Sequence, residues 1–345
     1  MAKQPLLSIC IPTWNRSKIL SISLTSFREQ LTSIDSSEIE IFVSDNASDD
    51  DTPQVVQSFI DQGLPITYNR NSENIGAAPN FIKCMQWASG KYIWLLGDDD
   101  LLKDNAISYI LDLIRNGDYG LIHLSVLKKQ NNQPETQEYT DRDNFWKDVS
   151  FWVTFMSGCV FLKEAVPLIE NCNRYIPTHL LQVPFYLMSS SLRKKNLFVR
   201  KSVMQNGLDA SSNGGYNFYQ VFVESYLNIW KEYEHKNIIS SRCYNYIKKN
   251  IYTQFIIDFN CQLLILHQNV KSENTKYTGN RKGFKIKGAW GLLLKYYGKE
   301  WYFWALFPKN IVRSFLMGAQ LIKKMIKRFI KKCSHHSKTV SITKQ

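Results

Sequence analysis

Leu95-Leu96-Gly97-Asp98-Asp99-Asp100-Leu101 is the stretch on which the fold reading turns. The apolar run Tyr92 to Leu96 reads as a buried strand, and it stops in a glycine and three successive carboxylates. Upstream, Leu6 to Pro12 reads as a strand ended by proline, Ser17 to Leu31 as a helix, and Ile39 to Ser44 as a second strand followed by a polar turn, Asp45 to Thr52. A helix is expected from about Pro53, since proline suits a first helical turn. Ile66 to Tyr68 reads as a short strand and Ala77 to Ala88 as a helix stopped by Gly90. Downstream, Asp104 to Arg115 has helical spacing. Strands and helices alternating at this length predict an α/β fold: a Rossmann-like, mostly parallel sheet with right-handed crossovers, flanked by helices. Such sheets gather ligands at the carboxyl ends of their strands.

The alternation stops after Leu121 to Leu127. Lys128 to Asp143 is polar and reads as a loop insertion, Gly158 to Leu162 as a strand, and Tyr216 to Glu234 and Ile238 to His267 as helices. The expected organisation is an α/β domain over 1–215, with halves 1–127 and 128–215, a helical region over 216–283, and an aromatic, basic tail over 284–345.

With 44 % hydrophobic and 21 % charged residues in 345, the chain can bury a full core, which excludes global disorder and a small disulfide scaffold. The net charge of +13 is not spread evenly. Residues 281–345 hold 16 Lys and Arg against Glu300 alone, whereas the first 280 residues are almost neutral. Seven scattered cysteines without a Cys-x-x-Cys spacing point to a reducing compartment. Met1 to Pro5 runs into the first strand without a long apolar core, and no stretch reaches the length of a membrane span, so a cytoplasmic chain is expected.

Four expected strand ends carry polar groups to one edge: Pro12-Thr13-Trp14-Asn15-Arg16, Asp45 to Asp50, Asn71 to Gly76, and Gly97 to Asp100. Asp98, Asp99 and Asp100 repel one another unless a cation intervenes, and carboxylate oxygens are what a hard divalent ion takes together with substrate phosphate. The structural alternative is a solvated turn capping the next helix. Asp45 suits hydrogen bonds from a base or ribose, or simply forms a turn. Asn74-Ile75-Gly76 leads into a helix whose amides can face an anion. Neither a G-x-G-x-x-G nor a Walker A run is present.

The succession Ser8 to Arg16, Val43 to Asp50, Asn74 to Gly76 and Leu95 to Leu101 resembles glycosyltransferase family 2, closely over about 6–125 and loosely over 150–215. The resemblance is to its branch acting in bacterial surface polysaccharides (abequosyltransferase- and rhamnosyltransferase-like). It implies a GT-A fold and a nucleotide-sugar donor, carrying UDP, GDP, CDP or dTDP, cradled by Pro12, Thr13, Asn15, Arg16, Asn74 and Gly76. Asp45 would sit on the base. Asp98 and Asp99 would meet the donor, with Mn²⁺ or Mg²⁺ on the diphosphate. Family members place an Asp-X-Asp or Asp-Asp here. Three aspartates leave Asp98 with Asp100, or Asp99 with Asp100, as the metal pair, Asp100 being common to both.

Members of the family usually bring a general base from a second-half Glu-Asp pair, which is absent between 150 and 215. His179, Asp209 and Glu164 are the candidates, since a base must reach the acceptor hydroxyl and imidazole titrates in a suitable range. A lone histidine is also an ordinary structural or surface residue. Trp152 and Ser157-Gly158-Cys159 are equally compatible with an acceptor pocket and with core packing. The processive Gln-X-X-Arg-Trp signature is missing, which favours addition of one sugar to a glycan or lipid-linked acceptor.

In the tail, Ile311, Phe315, Ala319, Ile322, Ile326 and Phe329 share one helical face and Arg313, Lys323, Lys324, Lys327, Arg328 and Lys331 lie mostly opposite, as in a helix lying on an anionic leaflet. Trp290, Tyr296, Tyr297, Trp301, Tyr302, Phe303 and Trp304 precede it and suit the headgroup level. The alternative is an amphipathic helix packed on its own domain. Nucleic acid is not an expected partner, for want of a recognised motif. The expected place is the inner face of the plasma membrane. Two rival readings remain. One is a sugar-phosphate nucleotidylyltransferase, which calls for a glycine-rich loop after strand one. The other is a non-catalytic membrane or polyanion binder.

Overall fold

The computed structural model describes residues 4–32, 34–125, 133–205, 216–257, 285 and 287–307. The chain divides into two compact units, one comprising 1–212 with 224–248, the other 213–223 with 249–345.

The first unit is built on one eight-stranded sheet of order β3-β2-β1-β4-β7-β5-β8-β6. Its strands are β1 (Leu7–Thr13), β2 (Ile39–Asp45), β3 (Ile66–Arg70), β4 (Tyr92–Leu95), β5 (Tyr119–Leu124), β6 (Thr136–Tyr139), β7 (Cys159–Leu162) and β8 (Lys195–Val199). The first four are parallel, as the alternation predicts. β7 then inserts antiparallel between β4 and β5, β8 runs parallel to β5, and β6 closes the edge antiparallel to β8. The helices are α1 (Ser17–Leu31), α2 (Thr52–Asp61), α3 (Ala77–Trp87), α4 (Ala106–Asn116), α5 (Arg142–Val149), α6 (Gln182–Ser189), α7 (Tyr226–His235) and α8 (Ser241–Ile251).

One face of the sheet joins Leu7, Ile9, Ile11, Ile41, Val43, Tyr92, Trp94 and Ile122 with Leu20, Leu24 and Phe27 of α1, Val56 and Phe59 of α2, and Ile107, Ile110 and Leu111 of α4. On the other face α3 lies over β1 and β2, its Cys84 Sγ donating to Phe42 O at 3.8 Å. Burying each large apolar side chain contributes about 1.5–3 kcal/mol, so this two-sided core holds the strand ends in place. The five described cysteines are free.

Several expectations are corrected. β1 runs through Pro12 to Thr13, because main-chain bonds alternate sides: Cys10 O accepts from Leu96 N just past β4 and Thr13 O from Asn46 N just past β2. Pro12 thus faces the β4 side beyond the last β1–β4 pair, Cys10 with Leu95, where no donor is needed. The expected loop at 128–143 contains β6, and 126–132 lie outside the described residues. The expected long helix from Tyr216 is instead a π-helical turn, Gln220–Ser225, leading into α7. The one from Ile238 starts at Ser241 and passes into a second π turn, Tyr252–Ile256.

The second unit contains a parallel bridge between Asn217 and Lys285, an aromatic group of Phe218, Phe222 and Phe255, and the helix Ala289–Tyr297. Among the described residues no helix is long and apolar enough to cross a membrane. The amphipathic segment 311–332 lies outside them.

Candidate active site

Parallel register delivers the site. Thr13 of β1 pairs with Asp45 of β2, which pairs with Arg70 of β3, so these residues stand side by side at the carboxyl edge. β4 ends beside them and opens into Gly97 to Asp100. The acidic run does not cap the next helix: α4 starts at Ala106, with Asn105 in the capping position.

Asp98 is 4 % exposed and tightly held. Thr13 Oγ1 donates to Asp98 Oδ2 at 2.7 Å, Arg16 Nη1 to Oδ1 at 2.6 Å, and Ser23 Oγ to the Asp98 carbonyl at 2.7 Å. Burial pushes its carboxyl up to about 6, against the pull of Arg16 and the Thr13 hydrogen bond and with a further push from Asp99 and Asp100. Arg16 Nη2 reaches Asp99 Oδ2 at 3.2 Å. Asp100 accepts from the Gly97 amide at 3.0 Å and from the Ser157 hydroxyl. Burial raises its pKa also, while those two hydrogen bonds oppose the shift.

Gly97 makes the geometry of the cluster feasible. A Cβ there would lie 2.8 Å from Asp99 Oδ1 and 3.1 Å from Asp100 Oδ2. The two carboxylates therefore fold over the space that a side chain would fill. Two hard-oxygen groups gathered there are the donor set a Mg²⁺- or Mn²⁺-sized ion takes when phosphate oxygens and water complete its shell. Asp98, the other member of the expected pair with Asp100, has one oxygen on Arg16 and the other on Thr13. Among the described residues there is no group of three or more His, Cys, Asp or Glu arranged to hold a metal by themselves.

Asp45 is fully buried. It accepts from Ser48 N at 2.8 Å and from the Tyr68 hydroxyl at 2.7 Å, and Arg70 Nε lies 3.5 Å from it. These partners occupy both carboxylate oxygens of Asp45. Beyond it, Asn46 Oδ1 accepts from Ile75 N at 3.0 Å, Asn46 Nδ2 donates to Asn74 Oδ1 at 2.7 Å, and Asn74 Oδ1 accepts from Gly76 N at 2.9 Å. Gly76, at φ 88°, takes the left-handed turn into α3 that glycine adopts without strain. Asn15, with positive φ, donates its amide to Ser48 Oγ at 2.9 Å, and its side chain accepts from Asp49 N at the same distance. Asp50 accepts from Ser17 N at 2.9 Å and Thr52 N at 3.0 Å, capping α1 and α2 together. Despite partial burial, the Thr52 and Ser17 bonds hold its carboxyl below the usual range.

The second half supplies Ser157, which β7 places at this edge through the Trp94–Val160 pair, with Trp94 Nε1 donating to Ser157 O at 2.9 Å. Glu164 is a correction: Leu162 pairs with Tyr92, so Glu164 lies at the amino edge of the sheet, on Arg193. His179 is exposed, in a left-handed conformation after the 3-10 turn Cys172–Thr178. Trp152 is half-buried against Phe151, and Asp209 lies outside the described residues.

Sheet, strand-end site and acidic turn together define a GT-A-type fold. Structural comparison agrees: S. aureus TarS 1–349 in complex with UDP-GlcNAc superposes with TM-score 0.55 at 13 % identity, over 74 % of this chain and 76 % of that one. The mannosyltransferase PcManGT of Pyrobaculum calidifontis, in complex with GDP-Man and Mn²⁺, gives 0.50 at 12 % identity over 91 % and 86 %. Residues 8–166 match Glycosyl transferase family 2. The chain's relatives include abequosyltransferase RfbV of Salmonella typhimurium, 38 % identical over 106 residues, covering 30 % of this chain and 31 % of RfbV. Another is the GalNAc(5)-diNAcBac-PP-undecaprenol beta-1,3-glucosyltransferase of Campylobacter jejuni, 30 % identical over 173 residues, covering 48 % and 54 %. The chain thus matches about a third to about half of the length of these curated relatives.

Proposed function

We infer that this chain transfers a single sugar from a nucleotide-sugar donor to a hydroxyl of a glycan or lipid-linked acceptor in bacterial surface polysaccharide synthesis, of capsule or O-antigen type. The observation that carries the reading is the pair of carboxylates, Asp99 and Asp100, gathered over Gly97 at the end of β4. Relatives named for sugar transfer, one of them onto an undecaprenol-linked glycan, and a fold neighbour in complex with UDP-GlcNAc, support it.

Asp99 and Asp100 hold Mn²⁺ or Mg²⁺ in this reading. That ion supplies neutralisation of the charge gathering on the leaving diphosphate. Thr13, Arg16 and Ser23 fix Asp98, and so fix the turn that carries the two ligands. Pro12 to Arg16 and Asn74 to Gly76 border the donor, and Tyr68 and Arg70 move aside for a base to meet Asp45. The acceptor hydroxyl loses its proton to a base from the second half, for which His179 and Asp209 are the candidates, and attacks the anomeric carbon in a single inverting displacement. The enzyme works at the inner face of the plasma membrane, where its basic C-terminal stretch and lipid-linked acceptors meet.

The test is turnover of a panel of UDP-, GDP-, CDP- and dTDP-sugars with Mn²⁺, in the native chain and in Asp100→Ala. Donor hydrolysis or transfer that depends on Asp100 is expected. Equal turnover in both removes the metal assignment.

A further inference from the structure

Six of the seven aromatic residues clustered between 290 and 304 separate into two sets, Tyr296 being half-buried. Tyr297, Tyr302 and Phe303 are buried, and each packs on Tyr252, at ring separations of 4.7, 6.0 and 5.5 Å. Trp290, Trp301 and Trp304 are 48 %, 72 % and 52 % exposed, and Leu294, one turn on from Trp290, is 48 % exposed. These outer rings are not scattered singly. Trp290 and Trp304 both meet Phe307, at 5.8 and 6.0 Å between centroids, so three aromatics form one continuous patch. Trp301 lies one turn before Trp304 in the helical stretch 301–307, and the Lys249 ammonium stands 5.1 Å from its ring.

A connected tryptophan surface is unusual on a soluble domain and marks a surface that binds something. Its surroundings select what it binds. Lys249 stands over Trp301 and Lys295 over Tyr296, Lys299 lies between those two rings in sequence, and residues 281–345 as a whole carry 16 basic groups against one acidic. Tryptophan belongs at the boundary between hydrocarbon and headgroups, and clustered Lys and Arg are drawn to an anionic leaflet. A protein partner with an apolar groove would match the rings but leave that charge without a counterpart.

We propose that the Trp290–Phe307–Trp304 patch, with Trp301 and Lys249, is the face that seats this chain in the surface of an anionic phospholipid bilayer. The assignment deepens the membrane-surface placement given above and rests on it. The buried set around Tyr252 acts as the rigid base, while the exposed rings enter the headgroup layer.

The experiment uses the full chain and vesicles of phosphatidylcholine with or without phosphatidylglycerol, followed by flotation and by quenching of tryptophan fluorescence with brominated lipid. The native chain should float with phosphatidylglycerol vesicles and be quenched, and binding should weaken as salt rises. The variant Trp290→Ala, Trp301→Ala, Trp304→Ala should bind at least roughly ten-fold more weakly and lose most of the quenching. A milder variant, Trp304→Gln alone, guards against misfolding and should show a smaller loss in the same direction. Native chain that stays unbound, as when another segment or a second copy covers the patch, overturns the proposal. So does binding that is equal in native and variant chains. No donor or acceptor is present, so failure of the transferase reading does not alter this result.

Discussion

The two edges of the sheet carry nearly the same groups and put them to opposite use. At the amino edge Arg193 pairs with Glu164 at 2.6 Å and Asp118 at 3.1 Å. At the carboxyl edge Arg16 pairs with Asp98 at 2.6 Å and Asp99 at 3.2 Å. The distances match, but the solvent does not: the Glu164 and Asp118 side chains are 56 % and 62 % exposed and Asp98 is 5 %. Arg193 therefore draws the Glu164 carboxyl below its usual range; at Asp118 burial pushes upward, and the hydrogen bonds and charges of Arg193 and Lys91 together outweigh it and hold that carboxyl low as well. At the carboxyl edge desolvation outweighs Arg16, and Asp98 rises to about 6. A charged cluster costs little in water. Out of water it persists where the fold fixes it, and this one is fixed by Thr13, Ser23, Ser157 and the Gly97 amide.

Substitutions at the two edges put that contrast to the test. The largest effect is expected for Asp100→Ala, which removes a proposed metal ligand and should lower donor turnover with Mn²⁺ by roughly 10²–10³-fold, measured under saturating donor. Ser157→Ala follows. Ser157 positions Asp100 through its hydroxyl, so its loss should lower turnover by roughly ten-fold and raise the Mn²⁺ concentration needed for half-maximal rate, with Thr restoring part of both. Asp50→Ala should cost about 1–2 kcal/mol in denaturant unfolding, because two helix starts lose their acceptor. Its folded pKa lies below the unfolded one, so the Asp50 contribution is present above pH of about 4 and is lost as pH falls further; the variant should show a shallower acid limb. Smallest is Glu164→Gln at the amino edge, worth less than about 1 kcal/mol and without effect on turnover. A large loss of turnover there would break the contrast.

The half of the fold with local signals was legible in the sequence. β1 to β4 and α1 to α4 follow from apolar runs broken by turn residues, and α1 spans Ser17–Leu31 as its periodicity predicts. The acidic turn was legible too, since three carboxylates after an apolar strand stand out unaided. What escaped depends on pairing between distant segments. Nothing in Cys159–Leu162 announces that it inserts antiparallel between β4 and β5, and that register brings Ser157 to Asp100 and sends Glu164 to the far edge. The burial of Asp45 behind Tyr68 and Arg70 likewise appears only when β2 and β3 are laid side by side. The split of the late aromatics into buried and exposed sets hangs on Tyr252, about fifty residues before Tyr302 and Phe303.

Calorimetric titration of a nucleoside diphosphate into the native chain and into Asp100→Ala, each with and without Mn²⁺, tests the central claim most directly. Binding to the native chain that strengthens at least roughly ten-fold with Mn²⁺, and a variant indifferent to the ion, is the predicted result. Affinity in the variant that still rises with Mn²⁺ as in the native chain would contradict it.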